Sequence, residues 1–418
     1  MAGQKSKKHR ALFKISYNVK LYFIINLIIF IDTLLYGIVV PAVPHYANAF
    51  GVDETGVGLI FFAYSGGLLL TSFPMGVLCD RIGQKKVLLL GAVVMTISTL
   101  AYAVSTSFSM LVISRFVQGI GSSATWAAGL TLVAGLFPAR VRGQRLSLVL
   151  STASLGTIVG PAAGGFLFAT FGYTVPFMFI ALLSILPLVL LVEKRTIKQV
   201  DFKNLEKVGE SLKQESGQLR ELLHNPNIFW GAIIVFAASF GFGIVDPILP
   251  LDLTRRFNMS GEEIGLLFGL LSLTYTICQP VAGYVSDQIG RKKVLIFGLL
   301  VTALTSPFIA IAPTVLAECI AVSLFGIASA IISAPSLPLM AESMDTGGTS
   351  FGLLNTAYSL GLAVGPIAGG FFTKSLSFPL TMLLYSGVLL LVSLGAFRNI
   401  YETLTPIASG SKNELGKG

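Results

Sequence analysis

Long apolar runs, broken at near-regular intervals by short polar or charged segments, dominate the chain between residues 21 and 397. Reading each run between its breaks gives twelve segments, at about 21–43, 55–78, 87–107, 109–137, 146–169, 173–193, 228–253, 262–285, 294–313, 315–342, 350–373 and 377–397. An apolar helix of about 20 residues spans the hydrocarbon core of a bilayer. The pattern therefore predicts an all-α membrane protein with twelve transmembrane helices. One stretch interrupts the series: residues 194–226 carry seven basic and five acidic residues and no apolar run able to span. They predict a linker between residues 1–193, a bundle of six helices with an N-terminal tail, and residues 227–418, a second bundle of six with a C-terminal tail.

The two halves repeat each other. "GIVVPAVP" at 37–44 returns as "GIVDPILP" at 243–250, "GVLCDRIGQKKVLLLG" at 76–91 as "GYVSDQIGRKKVLIFG" at 283–298, and "SLGTIVGPAAGGF" at 154–166 as "SLGLAVGPIAGGF" at 359–371. The offsets are 206, 207 and 205 residues, nearly constant, and each match sits at the same place in its half. Parallel repeats of this kind imply two pseudo-symmetric bundles related by an axis along the membrane normal, with a substrate site between them at mid-depth.

Charge sets the orientation. The chain has 418 residues, 54% hydrophobic and only 12% charged, against roughly 25% charged in a soluble domain. Loops alternate sides, so Lys and Arg can be counted by side: 25 fall on the side of both termini and the linker, three (Arg255, Arg256, Lys374) on the other, and Arg115 lies inside the fourth run. The excess of positive charge on cytoplasmic loops predicts a multi-pass protein of the cell membrane with both termini cytoplasmic. The net charge of +9 is then this inward bias and calls for no nucleic-acid partner; its complement is the anionic lipid surface. Cys79, Cys278 and Cys319 lie in or beside spans and make no disulfide framework, and His9, His45 and His224 lie outside the runs. No cofactor, metal or enzymatic centre is expected.

Against this apolar background a few residues stand out. Asp32 is the twelfth of 23 residues in the first run and its only charge, which places a carboxylate near the midplane, where a charge is costly and by default functional. Arg115, Gln118, Gly119, Ser122 and Trp126 share one face of the fourth helix, and an intramembrane arginine must find an interior partner, in a structural ion pair or a functional one. Asp246 has Val40 as its repeat equivalent, eight residues beyond Asp32, so it sits roughly 12 Å nearer the outside. Glu318 and Glu342, at the two ends of the tenth run, read as boundary residues reaching solvent. Tyr36, one turn from Asp32, with Trp126, Asn355 and Tyr358, would supply aromatic and polar contacts to a mid-membrane ligand. Ordinary packing is the plain alternative for each aromatic.

Two repeated motifs read as conformational. Each loop motif combines a helix-end glycine (Gly76, Gly283), an acid (Asp80, Asp287), a tight turn (Gly83, Gly290) and basic residues such as Arg81. The glycines permit close helix contact and the acids can pair across the bundle interface; a plain topogenic turn is the alternative. In the fifth helix Gly156, Gly160 and Gly164 stack on one face around Pro161, and in the eleventh Gly361, Gly365 and Gly369 around Pro366, a packing face for a neighbouring helix at a moving seam.

Together these residues resemble the major facilitator superfamily over essentially the whole chain. The motif at 76–86 is similar to that family's signature between helices two and three, and "RFVQGIGSS" and "GTIVGPAAGG" resemble motifs of its twelve-helix drug:proton antiporter branch. "FIDTLLYGIVVPAVP" and "IVDPILPLDL" are similar to the vesicular amine transporters and bacterial multidrug exporters, where acids at the places of Asp32 and Asp246 serve cation recognition and proton coupling. The vesicular transporters also carry a lysine in helix two and acids in helices ten and eleven. This chain has Tyr64 or Ser65, Ser333 and Asn355 there, which sets that charge network aside and keeps the antiporter class. The resemblance implies a monomeric exporter of amphipathic, cationic drugs or amines in exchange for protons, driven by the proton gradient. A proton-coupled uptake symporter of a small polar solute, or a non-transporting sensor on the same fold, is the alternative.

Overall fold

The computed structural model describes the backbone of residues 2–192, 224–342 and 347–403. Within it lie twelve helices and no strand: α1 (Ala2–Phe50), α2 (Glu54–Ile82), α3 (Gln84–Ala103), α4 (Phe108–Leu136), α5 (Ala139–Phe171), α6 (Thr174–Val192), α7 (Pro226–Phe257), α8 (Gly261–Ile289), α9 (Arg291–Ile311), α10 (Val315–Glu342), α11 (Gly347–Ser375) and α12 (Phe378–Asn399). The apolar runs place every helix but not every end. Helix α5 begins at Ala139, well before its apolar run, because "ARVRGQR" continues the helix through charged residues. Helix α1 extends to Phe50, which carries His45 into its last turns. Most of the expected linker, residues 194–223, lies outside the described residues.

Eleven of the twelve helices are long and apolar enough to cross a membrane by themselves. The exception is α11, whose glycines and hydroxyl residues dilute its apolar content. It packs against α7 of its own half and α2 of the other, so much of its surface meets protein rather than lipid.

Side-chain caps close the helix starts on one face. Asp53 accepts from Gly56 N, Ser107 from Met110 N and Ser377 from Leu380 N, and Ser260 forms a capping box with Glu263. Each satisfies backbone donors that would otherwise face the membrane border unpaired. We call this the outer face. On the opposite, inner face the α2–α3 and α8–α9 turns tighten to single glycines, Gly83 (φ 90°) and Gly290 (φ 106°), values that only glycine adopts without strain.

The bundles pack internally as the repeat demands: α1 on α5 and α2 on α4 in the first half, α7 on α11 and α8 on α10 in the second. A Cβ at Gly160 would lie 2.7 Å from Leu34 O and 3.0 Å from Gly37 Cα; one at Gly365 would lie 2.6 Å from Phe240 O and 2.9 Å from Gly243 Cα. Gly164 meets Ile38 and Gly369 meets Ile244 in the same way, while Gly156 and Gly361 sit over Thr33 and Ser239. Both glycine faces therefore serve backbone-to-backbone contact within a half.

Between halves, α2 meets α11 and α5 meets α8, through Gly58 on Pro366 O, Gly370 on Glu54 O, Gly165 on Gly261 O and Gly265 on Pro161 O. All these contacts lie in the outer halves of the helices. Towards the inner face the same helices come apart: Leu70 and Phe73 are 67% and 81% exposed, and a Cβ at Gly76 would meet nothing of a neighbouring helix within 4 Å. The molecule is closed at the outer face and open at the inner one.

Candidate functional site

Helices α2 and α4 approach backbone to backbone, Gly67 facing Phe116 O and Gly119 facing Tyr64 O. That approach brings Tyr64 and Ser122 to the middle of α1, where Asp32 projects inward with 1% of its surface exposed. Ser122 Oγ and Trp126 Nε1 each donate to Asp32 Oδ2 at 2.7 Å. The Tyr64 hydroxyl lies 3.2 Å from Asp32 Oδ1 and 2.9 Å from Ser122 Oγ, with one proton to give. Three donors thus replace the water that the carboxylate has lost, and a charge-assisted hydrogen bond is among the stronger kinds. A deprotonated Asp32 accepts from all three; a protonated one can donate to the Tyr64 hydroxyl, which then gives its own proton to Ser122 Oγ.

Two turns nearer the outer end of α4 than Ser122 stands Arg115, fully buried. It makes no ion pair among the described residues. Its Nη1 donates to Gln118 Oε1 at 2.6 Å, and Gln118 Nε2 donates to Thr99 Oγ1 at 3.2 Å. Its guanidinium carbon lies 4.8 Å from the ring centre of Tyr64, 5.8 Å from Tyr102 and 5.9 Å from Tyr36 and Phe61. A cation held by aromatic faces keeps its charge without a carboxylate.

In the second half Asp246 is 9% exposed. It accepts a hydrogen bond of 2.9 Å from the Tyr36 hydroxyl, so a tyrosine of α1 reaches across the bundle interface to an acid of α7. The Tyr36 and Tyr64 rings lie 5.4 Å apart, which links Asp246 through two tyrosines to Asp32. Tyr358 is 45% exposed and near enough to Asp246 and Tyr275 to interact with both. Asn355, one turn towards the inner end on the same face of α11, is exposed too. Of the predicted residues, Asp32, Tyr36, Arg115, Gln118, Trp126 and Asp246 are joined by these contacts, with Tyr358 beside Asp246; Asn355 makes no hydrogen bond with them among the described residues.

Tyr64, Ser122, Phe61 and Tyr102 also take part in these contacts. Ser122 was on the recognised face of α4; Tyr64 and the two other aromatics carried no polar-periodicity signal that separates them from packing. Glu318 corrects an expectation: it is 0% exposed rather than at a solvent boundary, because Arg256 reaches it at 3.0 Å. Glu342 is held by Arg291 in two hydrogen bonds, 2.8 and 2.6 Å.

The loop motifs differ between halves. In the second, Arg291 also pairs with Asp287 at 3.0 Å, and Glu402 accepts from the backbone of Arg291 and Lys292 at the start of α9. In the first, the equivalent of Arg291 is Gln84, and Asp80 and Arg81 are exposed. Gly283 has only Ala334 Cβ near, at 4.0 Å. Among the described residues no cluster of His, Cys, Asp and Glu could hold a metal.

Two repeated six-helix bundles meeting around buried acids define a class of polytopic membrane protein. The Major Facilitator Superfamily model matches residues 25–245 and 231–415, and the chain belongs to that superfamily. It is 28% identical over 336 residues to the synaptic vesicular amine transporter of Mus musculus, covering 79% of this chain and 63% of that one; the chain thus spans under two thirds of that relative's length. It is 29% identical over 375 residues to the MFS-type transporter SLC18B1 of Mus musculus, covering 82% of this chain and 78% of that one. In structure it is similar to a bacterial homologue of the human lysosomal transporter Spinster, in an inward-facing and unoccupied conformation, with TM-score 0.76, 14% identity, and coverage of 93% of this chain and 98% of that one. The human organic anion transporter MFSD10 has the same fold, with TM-score 0.65, 20% identity, and coverage of 91% and 99%, so fold alone does not set the charge of a cargo.

Proposed function

We propose that the protein is a secondary transporter that exports amphipathic, cationic amines or drugs in exchange for protons, from a cell membrane in which the inner face is cytoplasmic. The observation that carries this reading is Asp32, a carboxylate at mid-helix, cut off from solvent and served by three donors. Desolvation opposes its charge, and Ser122, Trp126, Tyr64 and the nearby Arg115 support it. Such a group changes protonation when its surroundings change. A cationic substrate entering between the bundles stabilises the carboxylate and expels a proton; a proton arriving removes the attraction and releases the cation. Competition for one charge is enough to couple two fluxes.

Tyr36 and Asp246 extend the same logic across the interface. A substrate ammonium reaching Asp246 would compete with the Tyr36 hydroxyl for Oδ2, so binding would loosen a contact that holds the halves together. The bundles would then rock about the site, with the glycine seams as bearings. Vesicular amine transporters among the relatives support a cationic cargo.

The test is export from energised inverted vesicles, using a panel of lipophilic cations, neutral compounds and anions. Proton-dependent accumulation of cations by the wild type, abolished by Asp32→Asn, is expected. Undiminished accumulation by Asp32→Asn would overturn the assignment, and accumulation confined to anions would overturn the substrate class.

A further inference from the structure

The outer face has three basic residues, Arg255, Arg256 and Lys374, and the structure uses all three. Lys374, at the end of α11, pairs with Asp53 at 2.7 Å. Arg255, at the end of α7, pairs with Glu54. Both contacts cross from the second bundle to the first, and among the described residues they are the ion pairs that do so. Arg256 stays within its own half, where it binds Asp252 and Glu318 and donates to Ile309 O and Ala312 O at 2.8 and 2.9 Å. It thereby fixes the ends of α7 and α9 and the start of α10 to one another, and presents its neighbour Arg255 from a rigid base.

The two acids are consecutive at the start of α2. Asp53 divides its oxygens: Oδ1 caps α2 through Gly56 N, and Oδ2 takes Lys374. The acids lie at a helix N-terminus and the bases in the last turns of α7 and α11, so each charge also complements its own helix dipole. Directly beneath, Gly370 rests on Glu54 O and Gly58 on Pro366 O. This seam cannot open without separating all four charges.

We propose that Asp53, Glu54, Arg255 and Lys374 form an electrostatic clasp that holds the outer face shut and so biases the unloaded protein towards the inner-open conformation. This goes beyond the transport reading and does not depend on what is carried. Its energy is that of partly exposed pairs: the side chains of Arg255 and Lys374 are 63% and 57% exposed, those of Glu54 and Asp53 12% and 42%. Such pairs bias an equilibrium without locking it, as a gate that must open in every cycle requires.

The experiment places nitroxide labels at Thr106→Cys and Pro313→Cys, on outer turns of opposite bundles, in full-length protein with its three native cysteines replaced by alanine. Electron–electron distance distributions are recorded in lipid nanodiscs without substrate. Lys374→Gln with Arg255→Gln should raise the ratio of outer-open to outer-closed protein about fivefold. Neutralising the acids instead, with Glu54→Gln and Asp53→Asn, which keeps a capping oxygen on α2, should raise it by a similar factor, and high salt should shift the wild type but not the neutralised variants. Unchanged distances in either neutralised variant would overturn the clasp. Transport activity plays no part in the readout, so failure here is separate from failure of the export assignment.

Discussion

At Asp32 one oxygen takes two hydrogen bonds of 2.7 Å and the other faces a tyrosine hydroxyl. Removing one donor leaves a buried charge short of a partner, and hydrogen bonds to charged groups are worth about 1.5–3 kcal/mol. Ser122→Ala and Trp126→Phe should therefore each lower the initial rate of proton-driven export roughly tenfold or more at equal protein content. Rates within twofold of the wild type would show that these donors are incidental. Tyr36→Phe removes the bond to Asp246 and should make the outer-open conformation more frequent, read by the same label pair as the clasp. Asp32, Asp246 and the α4 face were legible in the sequence because a charge inside an apolar run has no bland background to hide in. Tyr64 was not, because an aromatic residue in a membrane helix fits lipid, packing and a site equally well, and only the Gly67–Phe116 and Gly119–Tyr64 approaches decide among them.

The helices themselves followed from apolar length, while glycine spacing marked a packing face on α5 and α11 without naming its partner. A Cβ at Gly160 would meet backbone of α1, and overpacking of this kind costs about 1–3 kcal/mol. Gly160→Ala should lower the thermal unfolding midpoint in detergent, measured by the loss of monodisperse protein. Gly76→Ala should not lower it, since nothing lies within 4 Å and alanine favours helix. If the inner ends of α2 and α11 close on each other during the cycle, the same variant should still slow export; full activity would remove Gly76 from the gate. Helix ends were the least legible feature. Caps such as Asp53 and Ser260 are visible in sequence, but the charged start of α5 is not, because a helix passes the membrane border without a change of backbone. The modest apolar content of α11 likewise reflects its protein neighbours on both sides, which a linear pattern does not record.

For the whole molecule, the internal repeat pointed to two bundles, but neither it nor the charge count says which face would be closed. That depends on contacts between distant segments, above all Asp53 with Lys374 and Glu54 with Arg255. Lys374 beside Asp53 holds its carboxyl below the ordinary value of 3.8. A lowered value in the closed state means the clasp is fully present above that ordinary value and is lost as pH falls through the lowered one. The outer distance distribution of substrate-free protein carrying both Asp32→Asn and Asp246→Asn should therefore stay constant between about pH 8 and about pH 5, and a shift in that window would show that a group outside the clasp and these two acids titrates with the outer gate. On the proposed reading, the gradient acts on the buried acids rather than on the outer charges. The most direct test of that claim uses purified protein in liposomes with a preset pH gradient and a trapped pH-sensitive dye. Adding a lipophilic amine should release protons through the wild type, with no release by Asp32→Asn beyond that of protein-free liposomes. Equal proton flux through both would contradict the account.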